Sequence, residues 1–412
     1  MAGFVNVVTP REAAVESVAE KLGFPWPFKA AEKTLEEAFG LRAAAAVTNL
    51  SPYPPFSRSL RDGYAVNHKE ALGAGEGTPL FLTLTGSVEM GQVPAFTVGA
   101  QQAAAIPTGG LMPEGTDSVV MIEDTEKTGS WVEITKAVQA GENVMLKGEE
   151  LSSGSEVLKK GSLIDFRTVP LLTTAGITSL QTADLRINIL STGDEIVPAS
   201  TEPLPPGCIR DVNGPAVAAL VKNYGFPANY RGIVSDDKAE ITERFEKELE
   251  ASDVLILSGG SSVGVRDHCS RLLAQLSEPG LIIRGLNMIP GKPTLIAADK
   301  AAQKLVISLP GHPLSCMAVA FTVLLPLLLR LIGASEGFCG KKLRLPVAAD
   351  LAAHTGPEEF IPFRVNEAGM ALPLAAKSGY ISVLSKADGF IVIPESRETL
   401  RAGEDAEVWL WQ

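Results

Sequence analysis

The chain has 412 residues, of which 45% are hydrophobic and 20% are charged. This composition supplies enough apolar sequence for a large core and for about two to four domains. The formal net charge of −12 argues against a general nucleic-acid binder, which needs a basic surface to neutralise phosphates. An anionic ligand must therefore be held locally, by backbone amides, a few basic side chains or a divalent cation.

The four cysteines lie far apart and form no CxxC pair, which argues against a structural zinc site and a disulfide framework. The N-terminus lacks a basic segment followed by an apolar core, so we expect no signal peptide and a cytoplasmic protein. The most apolar stretch, 317–329, is shorter than the roughly 18 to 20 residues of a membrane span and contains Pro326. We expect it to form a buried helix, with no membrane association.

The first predicted element is a helix with Thr9 as its N-cap, Pro10 in its first turn and Glu12 at the capping-box position. It is expected to end near Leu22. The alanine-rich segment 35–49 is compatible with a helix broken at glycine or with a helix followed by a strand. Further along, Asp62 precedes a glycine, a pair that predicts a tight turn with an exposed carboxylate.

The order of predicted elements indicates an α/β multidomain protein. Short apolar runs between glycines and prolines predict a small β-rich inserted domain over 51–139, flanked by an elongated N-terminal domain made of 1–50 and 140–180. Strand, loop and helix alternate over 181–333, which predicts a parallel sheet covered by helices. One of those helices is expected to begin after an Asp237 N-cap. The short runs over 334–412 predict a small antiparallel barrel or sandwich.

Three predicted strands of the parallel sheet end in glycine-rich or polar segments. Because open α/β sheets bind ligands at the carboxyl ends of their strands, we expect these segments to line one crevice. Their glycines allow backbone amides to approach an anion closely. The segments contain Ser191, Thr192 and Gly193 after the first strand, Ser258, Gly259, Gly260, Ser261 and Gly264 after the second, and Pro310, Gly311, His312 and Pro313 after the third.

Four carboxylates are expected at the same edge: Asp194, Glu195, Asp236 and Asp267, the last in a loop after the glycine-rich turn. Hard oxygen ligands of this kind bind Mg²⁺ together with substrate phosphates, although a solvated acidic rim has the same pattern. His268 and His312 follow polar loops and are candidates for a ligand role or for ordinary loop hydrogen bonds.

The common nucleotide and hydrolase motifs do not occur. No strand is followed by GxGxxG, no glycine-rich loop ends in a Lys-Ser/Thr pair, and no GxSxG elbow is present.

Seven segments, in order, resemble the molybdopterin molybdenumtransferase family, the MoeA and gephyrin E-domain type. The resemblance extends over essentially the whole chain. The segments are PPFSRSLRDGYAV (54–66), PTGGLMPEGTDSVVMIED (107–124), STGDE (191–195), DVNGPA (211–216), SGGSSVGVRDH (258–268), PGKPT (290–294) and LPGHPLS (309–315).

The resemblance implies an elongated four-domain protein, usually a homodimer, with a central α/β domain similar to the molybdopterin-binding fold. It implies an enzyme that takes adenylylated molybdopterin and molybdate or tungstate, with Mg²⁺ or another divalent cation, and releases AMP and the metallated cofactor. An adenylyltransferase of the same pathway is a further expected partner. The implied catalytic residues are Asp62, Thr108, Glu195, Asp236 and Asp267, the implied metal ligands Glu150, Glu195, Asp236 and Asp267, and the further implied substrate contacts Pro290, Gly291, Lys292, Pro310 and Pro313.

The chain departs from the family pattern at several positions. Glu150 stands where aspartate is usual, and the segment before PGKPT lacks family lysines and reads RGLNMI (284–289). We therefore expect Lys292 to carry much of the attraction for the oxyanion, with Arg284 as the alternative.

Two other functions are compatible with the sequence. A molybdopterin adenylyltransferase uses a similar α/β domain, but usually without extra domains before and after it. A non-catalytic molybdopterin-binding or scaffold protein is the second alternative, although retention of an acid at every implied position argues against it.

Overall fold

The computed structural model describes residues 8–259, 263–338 and 340–411, and within helix Val263–Ala274 it describes side chains only from His268 onward. Contacts divide the chain into two compact units. The first contains the residues up to Ala46, Leu158–Val169 and Thr178 onward, and the second contains Val47–Val157 and Pro170–Ile177. The four-domain division remains a prediction.

The second unit is built on one six-stranded sheet. Its core contains Tyr64, Val66, Leu82, Val120 and Ile134. Most neighbours are antiparallel, whereas Leu80–Ser87 and Gln102–Ile106 run parallel. The strands, in spatial order, are Ser118–Met121, Gly63–Val66, Gln102–Ile106, Leu80–Ser87, Trp131–Ile134 and Thr125–Thr128. Smaller elements are strands Arg58–Ser59 and Val144–Met145 and the 3-10 helices His68–Ala71 and Ile122–Asp124. Helix Val169–Thr174 starts at Val169, which is assigned to the first unit, and its other residues belong to the second-unit segment Pro170–Ile177.

In the first unit, helix Arg11–Leu22 ends near the predicted residue, but its predicted cap is wrong. The N-cap is Pro10 and makes no side-chain cap hydrogen bond. Thr9 is instead held by its backbone, whose N–H donates to the Gly285 carbonyl at 3.0 Å. The next elements are strand Ala30–Thr34, which pairs antiparallel with Ser179–Ala183, and the short helix Leu35–Ala38.

The central sheet of the first unit has six strands and is mixed rather than wholly parallel. Five strands run in the same direction, and Leu295–Asp299 runs in the opposite direction, antiparallel to both of its neighbours. The prediction of a parallel sheet is wrong for this one strand, because apolar runs do not encode strand direction. The order is Asn229–Val234, Ile187–Thr192, Val254–Gly259, Lys304–Leu309, Leu295–Asp299 and Pro279–Ile283. The sheet is accompanied by helices Asn213–Asn223, Lys238–Glu250, Val263–Ala274 and Pro313–Ile332.

The helix Pro313–Ile332, called the long helix below, has 20 residues and a mean hydropathy of 2.2. It is therefore long and apolar enough to cross a membrane, which contradicts the length argument made from the sequence. Its most apolar stretch is 89% buried inside the protein, as predicted for a core helix. A π-helical turn, Ala320–Leu324, precedes Pro326, which has no N–H for regular α-helical bonding.

The C-terminal part of the first unit is an open, mainly antiparallel sheet. Its strands, in order, are Met288–Ile289, Glu358–Val365, Gly389–Ile393, Asp405–Leu410 and Lys341–Pro346, with Ala371–Pro373 paired to Glu358–Val365. A short antiparallel pair in this part joins Leu351–Ala352 with Thr399–Leu400. Outside it, between strand Ile187–Thr192 and helix Asn213–Asn223, Ile196–Val197 pairs parallel with Ile209–Arg210. Among the described strands the sheet does not close, so the β-fold prediction holds and the closed barrel is not observed.

Candidate active site

The carboxyl ends of the central strands meet at one edge of the sheet. Thr192 and Gly259 are paired in register at the ends of two parallel strands. Strand Leu295–Asp299 runs in the opposite direction and begins where its neighbour ends, with Leu295 opposite Ser308. The antiparallel strand therefore brings the PGKPT segment to the same edge as the glycine-rich turns.

A cavity of about 220 Å³ opens at this edge. Five residues predicted from the sequence line it, namely Thr192, Gly259, Pro310, Gly311 and His312. Five other residues complete its wall: Leu257, Cys269, Pro293, Ser308 and Ser315. Burial and the nearby Asp236 carboxylate raise the pKa of the Cys269 thiol to about 11, so this side chain is neutral at physiological pH. The described cavity wall thus consists of hydroxyls, glycine and proline residues, one leucine, one thiol and one imidazole.

Gly259 is required by the geometry of the wall. Its φ of +116° lies in a region that side chains rarely adopt, and a Cβ here would lie 2.1 Å from the Thr192 carbonyl oxygen. The two strand ends approach this closely only because the position is glycine.

Other predicted contacts lie off this cavity. Ser191 and Ser258 are fully buried or nearly so, at 0% and 1% exposure, and the Ser258 hydroxyl lies 3.8 Å from the Cys316 thiol. Pro290 lines a separate cavity of about 610 Å³, and Lys292 is exposed. Gly193 directly follows strand Ile187–Thr192, Gly291 accepts a hydrogen bond from Thr294 at its carbonyl, and Pro313 begins the long helix. Gly260 and Ser261 lie outside the described residues.

The prediction that Asp267 lies in a loop is wrong, because Asp267 belongs to helix Val263–Ala274, which also contains Gly264. The Asp267 side chain lies outside the described part. His268, one residue further, is occupied within the protein: its Nε2 lies 3.2 Å from both the Thr242 hydroxyl and the Lys238 carbonyl oxygen. For His268 the structure therefore supports an ordinary hydrogen-bonding role.

Asp194, Glu195 and Asp236 form an acid cluster beside the cavity. The Asp236 N–H donates to Asp194 Oδ1 at 2.8 Å, so the two predicted strand ends do converge. Burial and the charges of Asp194 and Glu195 raise the pKa of Asp236. Its Oδ1 is buried without a hydrogen-bond partner among the described residues. The charged neighbours that shift Asp236 are both acidic, and no basic side chain is among them.

This acid cluster has the donor chemistry that Mg²⁺ prefers. Its oxygens are hard ligands, and the unpartnered Asp236 Oδ1 is available to a cation. The described residues nevertheless contain no set of three His, Cys, Asp or Glu side chains arranged to hold a metal. A magnesium ion here would need further oxygens, such as those of substrate phosphates or of a side chain outside the described set.

Two candidates of the second unit contact each other. Asp62 Oδ1 accepts a hydrogen bond of 2.7 Å from the Thr108 N–H, and both residues are exposed. Glu150 is also exposed, and its N–H donates to the Tyr53 carbonyl at 3.2 Å. Its side chain makes no hydrogen bond or ion pair with the described residues.

Sequence reasoning missed the residues that hold the loop Pro310–Pro313, called the proline loop below. Asn213 Nδ2 donates to the Gly311 carbonyl at 2.7 Å. Asn213 is in turn ordered by Asp211, which accepts from the Asn213 N–H at 3.1 Å and from the Tyr230 hydroxyl at 2.6 Å. The DVNGPA motif contains two of these residues and was the available signal.

Three family models match consecutive parts of the chain. They are the MoeA N-terminal region (domain I and II) over 9–176, a "Probable molybdopterin binding domain" over 188–330, and the MoeA C-terminal region (domain IV) over 344–411.

Relatives and solved structures agree with these models. A molybdopterin molybdenumtransferase of Nostoc is 32% identical over 73% of this chain and 69% of its own length. One of Staphylococcus aureus is 26% identical over 98% of this chain and 96% of its own. Two structures of molybdopterin biosynthesis MoeA protein from Pyrococcus horikoshii each cover 98% of this chain, with TM-scores of 0.77 and 0.84 and identities of 33% and 25%. They are covered to 99% and 100% of their own length. The chain therefore belongs to the MoeA family of molybdopterin biosynthesis proteins.

Proposed function

We propose that this protein is a molybdopterin molybdenumtransferase of molybdenum cofactor biosynthesis. It takes adenylylated molybdopterin and molybdate or tungstate, and it releases AMP and the metallated cofactor. The observation that carries this proposal is the cavity at the sheet edge with the acid cluster beside it. Sequence similarity to named transferases over nearly the whole chain supports the same reaction.

The charges of the described residues explain why a divalent cation is part of the proposal. Among the residues seen to line the cavity there is no lysine or arginine, while Asp194, Glu195 and Asp236 lie beside it. Alone, these carboxylates would repel a pyrophosphate group. In our proposal Glu195, Asp236 and Asp267 hold Mg²⁺, which would neutralise phosphate charge and polarise the bond that breaks. Asp194 would order the Asp236 backbone.

The remaining residues bind and orient the substrate. The Thr192, Ser308 and Ser315 hydroxyls offer donors to phosphate or oxyanion oxygens, and the Gly259 turn allows the substrate to approach the backbone. Asn213 fixes the proline loop by its bond to Gly311. From the family resemblance, Pro290, Gly291 and Lys292 are further proposed substrate contacts. From the same resemblance, Asp62 and Thr108 of the second unit are proposed catalytic residues and Glu150 a proposed metal ligand.

The decisive experiment is incubation of the pure protein with adenylylated molybdopterin, Mg²⁺ and molybdate or tungstate, with AMP release as the readout. We expect AMP only when both the oxyanion and the divalent cation are present. Release of pyrophosphate from ATP and molybdopterin would instead assign adenylyltransferase activity. Binding of molybdopterin without AMP release, under all these conditions, would favour the scaffold alternative.

The assembly and location of the protein are proposals at the same level. A homodimer, a cytoplasmic location and contact with the adenylyltransferase of the pathway follow from the family resemblance and the composition. The long helix gives no separate reason for a dimer, because its most apolar stretch is 89% buried within one chain.

A further inference from the structure

His312 differs chemically from the other described residues of the cavity wall. The wall otherwise consists of serine, threonine, glycine, proline, leucine and cysteine side chains. Lys292, the cation expected from the sequence, is not among the lining residues, whereas His312 lines the cavity and, like Lys292, is exposed. The imidazole is therefore the one side chain of the described wall that can offer a nitrogen donor to an anion.

The orientation of the His312 ring is fixed from the C-terminal part of the first unit. Its Nδ1 lies 3.0 Å from the Ser378 hydroxyl. The Ser378 backbone is itself tied to the start of the long helix, because its carbonyl accepts from the Leu314 N–H at 3.0 Å. The other ring nitrogen, Nε2, has no hydrogen-bond partner among the described residues.

Either protonation state leaves Nε2 able to donate. When the Ser378 hydroxyl donates to Nδ1, the neutral ring carries its proton on Nε2, and the protonated ring carries one on each nitrogen. An anion bound next to the ring stabilises both of these forms over the tautomer that lacks the Nε2 proton. The Ser378 contact thus prepares the imidazole to bind a tetrahedral oxyanion.

We propose that His312 is a further substrate-binding residue, with Nε2 donating to an oxygen of a tetrahedral oxyanion in the cavity, and that Ser378 is its positioning residue. The oxyanion is either the metal oxyanion itself or a phosphate of adenylylated molybdopterin. This inference rests on the proposed function, since both anions are substrates of that reaction.

The test measures steady-state AMP release by the full chain in two titrations. In the first, molybdate is varied at saturating adenylylated molybdopterin. In the second, adenylylated molybdopterin is varied at saturating molybdate. The variants are His312→Ala, His312→Gln, Ser378→Ala, Ser378→Thr and Lys292→Ala. His354→Gln is the matched control, because this exposed histidine pairs with Glu359 beside the other cavity. Thermal unfolding of each variant checks that it is folded.

We expect His312→Ala to raise the KM of one anion about tenfold with kcat nearly unchanged, since a lost charge-assisted hydrogen bond is of this size. His312→Gln, which retains a neutral donor, should lie between it and the wild type. Ser378→Ala should raise the same KM by about threefold, and Ser378→Thr should restore it. A higher KM for molybdate identifies the bound anion as molybdate, and a higher KM for adenylylated molybdopterin identifies it as a phosphate.

The inference is overturned if both His312 variants keep both KM values within about twofold of wild type. It is also overturned if only kcat falls, or if Lys292→Ala alone raises KM. In each of these cases an active wild type leaves the proposed function intact. A wild-type protein that releases no AMP contradicts the proposed function, and the role of His312 falls with it.

Discussion

Asp62 Oδ1 accepts a 2.7 Å hydrogen bond from the backbone N–H of Thr108, which joins the two family motifs of the second unit. Asp62 precedes strand Gly63–Val66, and Thr108 follows strand Gln102–Ile106, which is its antiparallel neighbour. The carboxylate therefore has one oxygen that orders the PTGG turn, while no hydrogen bond to the other is found in the described protein. Asp62 can therefore order the PTGG turn through one oxygen and remain available for a substrate contact through the other.

The two roles of Asp62 can be separated by substitution. Asp62→Asn keeps an oxygen for the Thr108 N–H but removes the charge, so we expect nearly unchanged thermal stability and at least about a 100-fold lower kcat for AMP release. Asp62→Ala should lose the activity and also a small amount of stability, about 1 kcal/mol at most. Glu114→Gln, an exposed acid of the same unit, is the control. Wild-type activity in Asp62→Asn would restrict Asp62 to ordering the turn.

The neighbours Asp236 and Asp237 form a matched pair for testing the metal proposal. Asp237 caps helix Lys238–Glu250 by accepting from the Ala239 and Glu240 N–H groups, whereas Asp236 belongs to the acid cluster. We expect Asp236→Asn to abolish Mg²⁺-dependent AMP release, and Asp237→Asn to leave it unchanged because asparagine also caps helices. Mg²⁺ at roughly 100 times its Kd should stabilise the wild type by about 2.7 kcal/mol and the Asp236 variant much less. Equal Mg²⁺ stabilisation of both variants would remove Asp236 from the metal site.

The raised pKa of Asp236 also predicts the pH dependence of stability without a metal. A carboxyl whose folded-state pKa exceeds its unfolded value favours folding below the unfolded pKa, and this contribution is lost as pH rises through the folded pKa. Asp236→Asn should therefore raise Tm slightly at neutral pH and change it little below the ordinary carboxyl pKa. Calorimetry in the presence of a chelator would measure this. A lower Tm at neutral pH would contradict the assigned repulsion by Asp194 and Glu195.

The requirement for glycine at 259 can be tested against Gly232. Both have positive φ, but a Cβ at 259 meets the Thr192 carbonyl at 2.1 Å, whereas one at 232 meets nothing within 4 Å. Gly232→Ala should cost about 1 to 2 kcal/mol for its backbone conformation alone. Gly259→Ala should cost about 1 to 3 kcal/mol more, because the strand ends must separate. Chemical denaturation measures both; equal losses would show that the close approach at Thr192 is easily relieved.

The homodimer predicted from the family resemblance is tested by light scattering. We expect a mass about twice the chain mass of 43.4 kDa at micromolar concentration. A mass of one chain would contradict this prediction.

Local sequence signals predicted the elements well where local physics decides them. The Asp237 cap and the buried strand Val254–Gly259 are examples, since a side chain next to its own helix or a continuous apolar run suffices. The predicted Thr9 cap failed because Gly285, remote in sequence, binds the Thr9 backbone. The direction of Leu295–Asp299 was missed for the same reason, since it depends on its partner strand.

The candidate site could likewise be predicted only where local sequence signals identify a residue, and not where tertiary contacts do. Thr192, Gly259 and the proline loop could be identified because they follow predicted strands within quoted motifs. The Ser378 contact with His312 could not, because Ser378 lies in a segment without periodicity and reaches the ring only in the folded chain. Which residues share the cavity is likewise decided by tertiary contacts.

The contact between the first and last helices of the first unit has a consequence for synthesis of the protein on the ribosome. The Trp26 N–H donates to the Leu331 carbonyl at 3.0 Å, and Val15, Val18 and Leu22 share a core with the long helix. All of Val47–Val157 is translated in between. At about 5 to 20 residues per second, the apolar face of helix Arg11–Leu22 emerges many seconds before its partner. The second unit, whose main segment is continuous, can therefore fold first, while the N-terminal helix is exposed to chaperones until the long helix has been made.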